Sequence, residues 1–360
     1  MTAVDELLIR ETDRLFGAVA DHDTVQAAEA AGWSGPVWAA AAAAGLPWVS
    51  VPEDAGGTGG TLADATAIAR LAGAHAVPVP VVETALAGRV LASAGLAVPA
   101  GPASLAPPET ASVVAEPTAG GLRLSGRLGR VPWGAGVAVV VAVVEDGGRR
   151  WVVAVDPSLV AVEADANLAG EPRDTLVVDG VEFDARPVVP GDARSPLIDG
   201  ALARAAQMAG ALEAMARLTI DYTHARHQFG RPVARFQAVQ QHLVHLAQQA
   251  ALVGVAVDRA VRARDAGGGS VEVAAAKLLA NRAASIATAA SHQAHGAIGM
   301  TREYRLHHFS RRLWSWRHEF GGDRHWREVV GRAALDAGAD GLFPLIADGT
   351  STVPRPDPEE

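Results

Sequence analysis

Three β-branched runs sit in the middle of a chain whose two flanks are patterned for helix. Ala138-Val-Val-Val-Ala-Val-Val, Trp151-Val-Val-Ala-Val and Thr175-Leu-Val-Val are bounded by Gly, Asp and Pro, the mark of short strands. Gly147-Gly148 between the first two predicts a hairpin turn. On the N-terminal side, residues 38–44, 62–72 and 83–94 read as helices, each closed by a glycine. Between the first two of these, Gly56, Gly57, Gly59 and Gly60 make a shaped loop, because glycine tolerates positive φ. On the C-terminal side, Leu202, Ala205, Met208, Leu212 and Met215 share one apolar face. Further helices are expected over about 237–264, 271–295 and 304–317, broken most clearly at Gly267-Gly268-Gly269. The expected class is α+β, mostly α. It divides into an N-terminal helical domain (1–105), a small antiparallel β domain (106–190) and a helical bundle (195–346). A Pro-, Asp- and Glu-rich flexible tail (347–360) follows.

Composition narrows the function classes. At 360 residues, 49% apolar and 20% charged, the chain can bury a large core. A net charge of −9 argues against nucleic acid, whose phosphates need a basic face. Cysteine is absent, which excludes a thiolate nucleophile and a Cys-ligated metal and fits a reducing cytoplasm. No signal peptide is expected, since Met1 leads into Asp5, Glu6, Arg10 and Glu11. No apolar run reaches membrane-spanning length.

Two motifs carry the chemistry. Arg226-His-Gln-Phe-Gly-Arg-Pro232 runs on to Phe236-Gln237. Arg226 is a fixed cation whose planar donors suit a pyrophosphate. Phe229 offers a face to a flat ring, Gly230 lets the backbone turn, and Pro232 sets the re-entry into helix. Gln237 can donate and accept together, as a base edge requires. Downstream lies Gln293-Ala-His-Gly-Ala-Ile-Gly299. The order and separation of the two motifs resemble the Arg-x-x-Phe-Gly…Phe-Gln and Gln-x-x-Gly-Gly-x-Gly segments of the acyl-CoA dehydrogenases. The loop Val51-Pro-Glu-Asp-Ala-Gly-Gly57 is similar to another segment of that family.

The resemblance implies FAD as cofactor and a fold that ends in a four-helix bundle. It also implies that Arg226, Gln228, Phe229, Gly230, Phe236, Gln237, Gln240, Gln293, His295, Gly296, Ala297 and Gly299 serve the adenosine diphosphate half of a neighbouring subunit's FAD. The family's own proton-abstracting Glu is missing. Its two known positions fall on Gly200 and Phe320, and the hydroxyl-bearing residues after the second are replaced by Gly321-Gly322-Asp323. Asp199 and Glu319 each stand one residue away. On a helix one residue turns a side chain by about 100°, so they are weak candidates for a base. Where the family has a Trp-x-Thr against the flavin, this chain has Arg130, Pro132 and a displaced Trp133.

What serves a neighbour's FAD is kept and what serves the chain's own is lost. The pattern resembles the degenerate subunit of heteromeric acyl-CoA dehydrogenases of actinobacterial steroid side-chain breakdown. That implies an α2β2 assembly with a partner that carries the Glu, an acyl-CoA substrate and an acceptor such as an electron-transfer flavoprotein. The alternatives are a self-sufficient homotetrameric enzyme with Glu319 or Asp199 as base, and a flavin-free structural subunit. The segment Phe309–Arg317, with Arg311, Arg312, Trp314 and Trp316, reads as an interface helix. His307, His308, His318 and His325 lack carboxylates at ligand spacing, and no metal is expected.

Overall fold

The computed structural model describes residues 6–188, 195–347 and 349. The chain opens with helices α1 (Glu6–Val19), α2 (His22–Ala31), α3 (Gly35–Ala43), α4 (Leu62–Ala74) and α5 (Val81–Ser93). Local signals set their ends. Asp21 caps α2 through the Thr24 N–H at 2.8 Å, and Gly32 stops it in the left-handed region. Thr61 and Asp64 form a reciprocal capping box that starts α4. The glycine loop before α4 holds two 3-10 turns, Leu46–Trp48 and Glu53–Ala55. A Cβ on Gly57 would come 2.0 Å from the Val51 carbonyl oxygen, so the loop closes on itself only through glycine.

Gly73 does not end α4, contrary to the pattern of its neighbours; the helix runs on to Ala74. It is a contact residue. A Cβ there would meet the Gln207 carbonyl oxygen at 1.9 Å, and one on Gly210 would meet that of Arg70 at 1.7 Å. Two glycines therefore let α4 lie backbone to backbone against α6 (Pro196–Ala225).

The middle of the chain forms two four-stranded sheets. One runs in the order β1 (Ala103–Leu105), β4 (Val139–Asp146), β5 (Arg149–Val155), β8 (Ala185–Pro187). The other runs β2 (Ala111–Pro117), β3 (Leu122–Pro132), β7 (Arg173–Phe183), β6 (Ala161–Glu163). Gly147 and Gly148, with φ of 53° and 77°, turn β4 into β5 as expected. The sheets are not wholly antiparallel: β1 pairs with β4 in parallel. The runs over β4, β5 and β7 interleave in one core with Leu122, Leu124, Leu128 and Trp133.

The last part is helical again. After α6 come α7 (Gln237–Asp265), α8 (Ser270–His295), the short α9 (Leu306–Trp316) and α10 (Asp323–Ala347). The packed face of α8 is almost all alanine, with Ala274, Ala276, Ala280, Ala283, Ala284 and Ala287 fully buried. Small side chains let the long helices approach closely, which accounts for the alanine-rich composition. Helix α10 is hard to read from sequence because Gly338 kinks it at φ 65° and Pro344 lies inside it. No helix among the described residues is long and apolar enough to cross a membrane. Apart from Ala347 and Gly349, the expected tail lies outside the described residues.

Candidate functional site

One end of the bundle collects both sequence motifs. Helix α6 stops at Arg226, whose ψ of 121° leaves the helix. A hairpin follows, from His227–Gln228 (β9) to Arg231–Pro232 (β10). Its turn residues Phe229 and Gly230 both have positive φ, 51° and 78°, as a tight two-residue hairpin requires. Glycine adopts this readily, but phenylalanine pays roughly 1–2 kcal/mol. The Phe229 ring is also 90% exposed. Half-buried Phe236 meets Phe229 edge-on at 6.0 Å and lies under the Arg231 guanidinium at 4.2 Å. Arg226, Gln228, Gln237 and Gln240 are exposed. Arg226 has no ion-pair partner among the described residues.

The second motif ends α8 at the same place. The His295 ring stacks on Tyr222 of α6 at 4.6 Å and 21°, with Tyr304 5.0 Å away. The Thr219 and Ser291 hydroxyls, 2.7 Å apart, tie the helices one turn deeper. His295 Nδ1 donates to the Ser291 carbonyl at 2.9 Å, which leaves the lone pair on Nε2. That Nε2 is buried without a partner, and burial lowers the ring's pKa. Gly296 turns the chain at φ 65°, and Gly299 packs so tightly that a Cβ would lie 2.8 Å from that of His295. Gln293, Gly296 and Ala297 face solvent. The bundle end thus presents an unpaired guanidinium, an exposed ring, amides and a buried imidazole acceptor. Tyr222 and Tyr304 were not singled out in the sequence. Their signal is that they are the chain's only two tyrosines.

The two positions assigned to a catalytic carboxylate meet elsewhere, between the bundle and the sheets. A Cβ on Gly200 would lie 2.2 Å from the Phe320 ring, so that ring fills the space a side chain at 200 would need. Phe320 is buried at φ 52°. Its carbonyl and that of Gly321 accept the Trp326 indole N–H at 3.1 and 3.0 Å. Lys277, fully buried, donates to Asn281 Oδ1 at 2.7 Å and to the Trp316 and Arg317 carbonyls at 3.1 and 3.2 Å. Burial lowers its pKa to about 7.

Beside Phe320 runs a buried charge network. The Glu319 carboxylate accepts from Arg173 Nε at 2.8 Å and pairs with Arg204 Nη2 at 2.8 Å. Arg204 also reaches Glu83 at 3.0 Å, and Arg173 reaches Glu171 at 2.9 Å. Arg312 bridges Glu171 at 3.1 Å and Glu29 at 2.9 Å. Burial alone would raise the Glu319 carboxyl, but the charges of Arg173 and Arg204 outweigh it and hold it at about 2. Such a group accepts a proton poorly. Asp199 is likewise buried and pairs with Arg264 at 2.8 Å. Both carboxylates are engaged by arginines within the chain. Trp133 points into the same region: its indole donates to the Gly32 carbonyl at 3.0 Å, and the Arg173 guanidinium lies 5.3 Å from its ring centre. Trp133 and Arg130 both have positive φ, 49° and 54°.

Although the sequence predicts no metal at His307, His308, His318 and His325, the first two lie together and are joined by His22 of α2; His325 instead packs on Trp326. A groove of about 1100 Å³ between α1, α4, α6 and α7 has none of its lining residues in either region above.

A family model for the acyl-CoA dehydrogenase C-terminal domain matches residues 192–335. Acyl-CoA dehydrogenase IpdE2 of Mycobacterium tuberculosis is 32% identical over 270 residues, 73% of this chain and 74% of that protein. Acyl-CoA dehydrogenase FadE34 of the same organism is 32% identical over 316 residues, 82% of this chain but 41% of its own length. Among solved structures, the Tcur3481–Tcur3483 steroid ACAD variant aligns with a TM-score of 0.84 at 25% identity, covering 92% of this chain and 98% of that one. The ChsE4–ChsE5 complex from Mycobacterium tuberculosis gives 0.84 at 23% identity over 94% and 99%. The chain belongs to the acyl-CoA dehydrogenase family.

Proposed function

We propose that this chain is a subunit of a heteromeric FAD-dependent acyl-CoA dehydrogenase, in which it completes the partner's FAD site and supplies no base. The observation that carries this reading is the contact of Gly200 with Phe320. The family's two places for a carboxylate are occupied by a residue without a side chain and by the ring that fills its space.

The bundle end fits the phosphate and adenine half of FAD. Arg226 is exposed and unpaired among the described residues, and Phe229 is held outward despite its strained φ. His295 Nε2 is an orphaned acceptor. The cleft between sheets and bundle does not fit a flavin ring, because Trp133, Arg173 and Phe320 pack into it. When bound, FAD supplies the hydride acceptor for α,β-dehydrogenation of an acyl-CoA. Arg226 would hold the pyrophosphate, Phe229 and Phe236 would cover the adenine, and Gln237 and Gln293 would pair with polar edges. The proton-abstracting carboxylate and the acyl pocket would come from the partner subunit. The steroid ACAD and two-component descriptions of the similar structures support a steroid-derived CoA thioester as substrate and an assembly with a second, different subunit, for which we propose a 2:2 ratio.

The test is co-expression with a second acyl-CoA dehydrogenase that carries the missing Glu. Flavin released by denaturing a weighed amount of the complex should amount to one FAD per two chains, and this chain alone should be colourless. One FAD per chain would overturn the proposal, as would acyl-CoA oxidation by the isolated chain.

A further inference from the structure

We propose that His22, His307 and His308 form a binding site for a borderline divalent cation, Zn²⁺ foremost, that pins α2 to α9. One ring nitrogen of each lies within 4.8 Å of the other two. His22 Nδ1 and His308 Nε2 are 2.9 Å apart. A tetrahedral zinc site with Zn–N of about 2.0–2.1 Å separates its nitrogens by about 3.3 Å. The one pair at 2.9 Å is slightly shorter than that value and the other nitrogens lie within 4.8 Å, so closing the site takes small side-chain adjustments.

The hydrogen bonds set the lone pairs. Glu29 accepts the His308 Nδ1 proton at 2.8 Å, which leaves the lone pair on Nε2. A carboxylate behind a ligand histidine orients the ring and raises its basicity. The sequence showed no such carboxylate near the histidines, because Glu29 stands 279 residues before His308. The fold brings it there as a neighbour of His22 two turns along α2. His307 Nε2 faces the Arg302 carbonyl at 3.1 Å, so its lone pair is on Nδ1, now taken by Arg311 Nη2 at 2.8 Å. Arg311 is partly exposed and also bonds Glu29, so it keeps an anchor when it releases His307. His22 needs only to move its proton from Nδ1 to Nε2.

Arg311 and Arg312 weigh against a dication and Glu29 offsets one of them. The site is therefore expected to be exchangeable, with a fourth position open to water.

The experiment uses untagged protein stripped with a chelator. Titration with Co²⁺ should give one equivalent of saturable binding with the visible absorption of an imidazole-bound tetrahedral ion. Zn²⁺ should displace it and raise the melting temperature, because a ligand bound only by the folded state stabilises that state. His22→Gln changes a half-buried side chain and should lose both effects while staying folded. If it does not fold, His307→Asn serves the same purpose. Absence of saturable binding, or equal binding by the folded variant, would overturn the site.

Discussion

The buried junction around Phe320 and the exposed end of the bundle hold similar residues to opposite effect. Both contain arginines, a phenylalanine at positive φ and nearby glycines. At the junction, Arg173 and Arg204 are paired with Glu319, Glu171 and Glu83, and Phe320 is sealed in. At the bundle end, Arg226 has no partner among the described residues and Phe229 faces solvent. The first set of charges is engaged within the chain; the second is open to solvent. The contrast is what the proposed division of labour between this chain and a partner rests on.

The comparison breaks first at Glu319. Glu319→Gln leaves Arg173 and Arg204 buried without their shared anion, which should cost about 3–5 kcal/mol, read by urea unfolding at pH 7. Because the Glu319 pKa is depressed, its contribution is fully present above the ordinary value of 4.5 and is lost as pH falls through about 2. The gap between wild type and variant should therefore narrow across that window. A gap that stays constant would mean the network is not what Glu319 supports.

Arg226→Ala should do the reverse. The unfolding curve of the free chain should not move, while FAD retention in the assembled complex should weaken roughly ten- to hundredfold, as expected for a charge-assisted contact worth about 1.5–3 kcal/mol. Retention measured by flavin fluorescence after dilution checks this. Unchanged retention would make Arg226 an interface residue only.

The smallest effect is expected at Phe229. Phe229→Gly relieves the strained φ but loosens the unfolded chain, so the free chain should shift by less than about 1 kcal/mol. FAD retention should still fall. A variant that loses stability instead would show that the ring packs the fold rather than a ligand.

The sequence by itself determined the order helix, strand, helix, because period and glycine punctuation are local properties. It also marked Arg226, Phe229 and Gly296, whose spacing survives without knowledge of the fold. It could not show that Tyr222 stacks on His295 and so joins the two motifs. Nor could it show that Gly73 is a helix contact rather than a stop, since that depends on what packs against it. Gly200 and Phe320 read as two separate positions along the chain. Only the tertiary structure brings them together, because a contact between residues 120 positions apart is decided by how helices close on each other. The same holds for Glu319, a candidate base by position. Its ion pairs come from Arg173 and Arg204, on a strand and a helix far away in sequence.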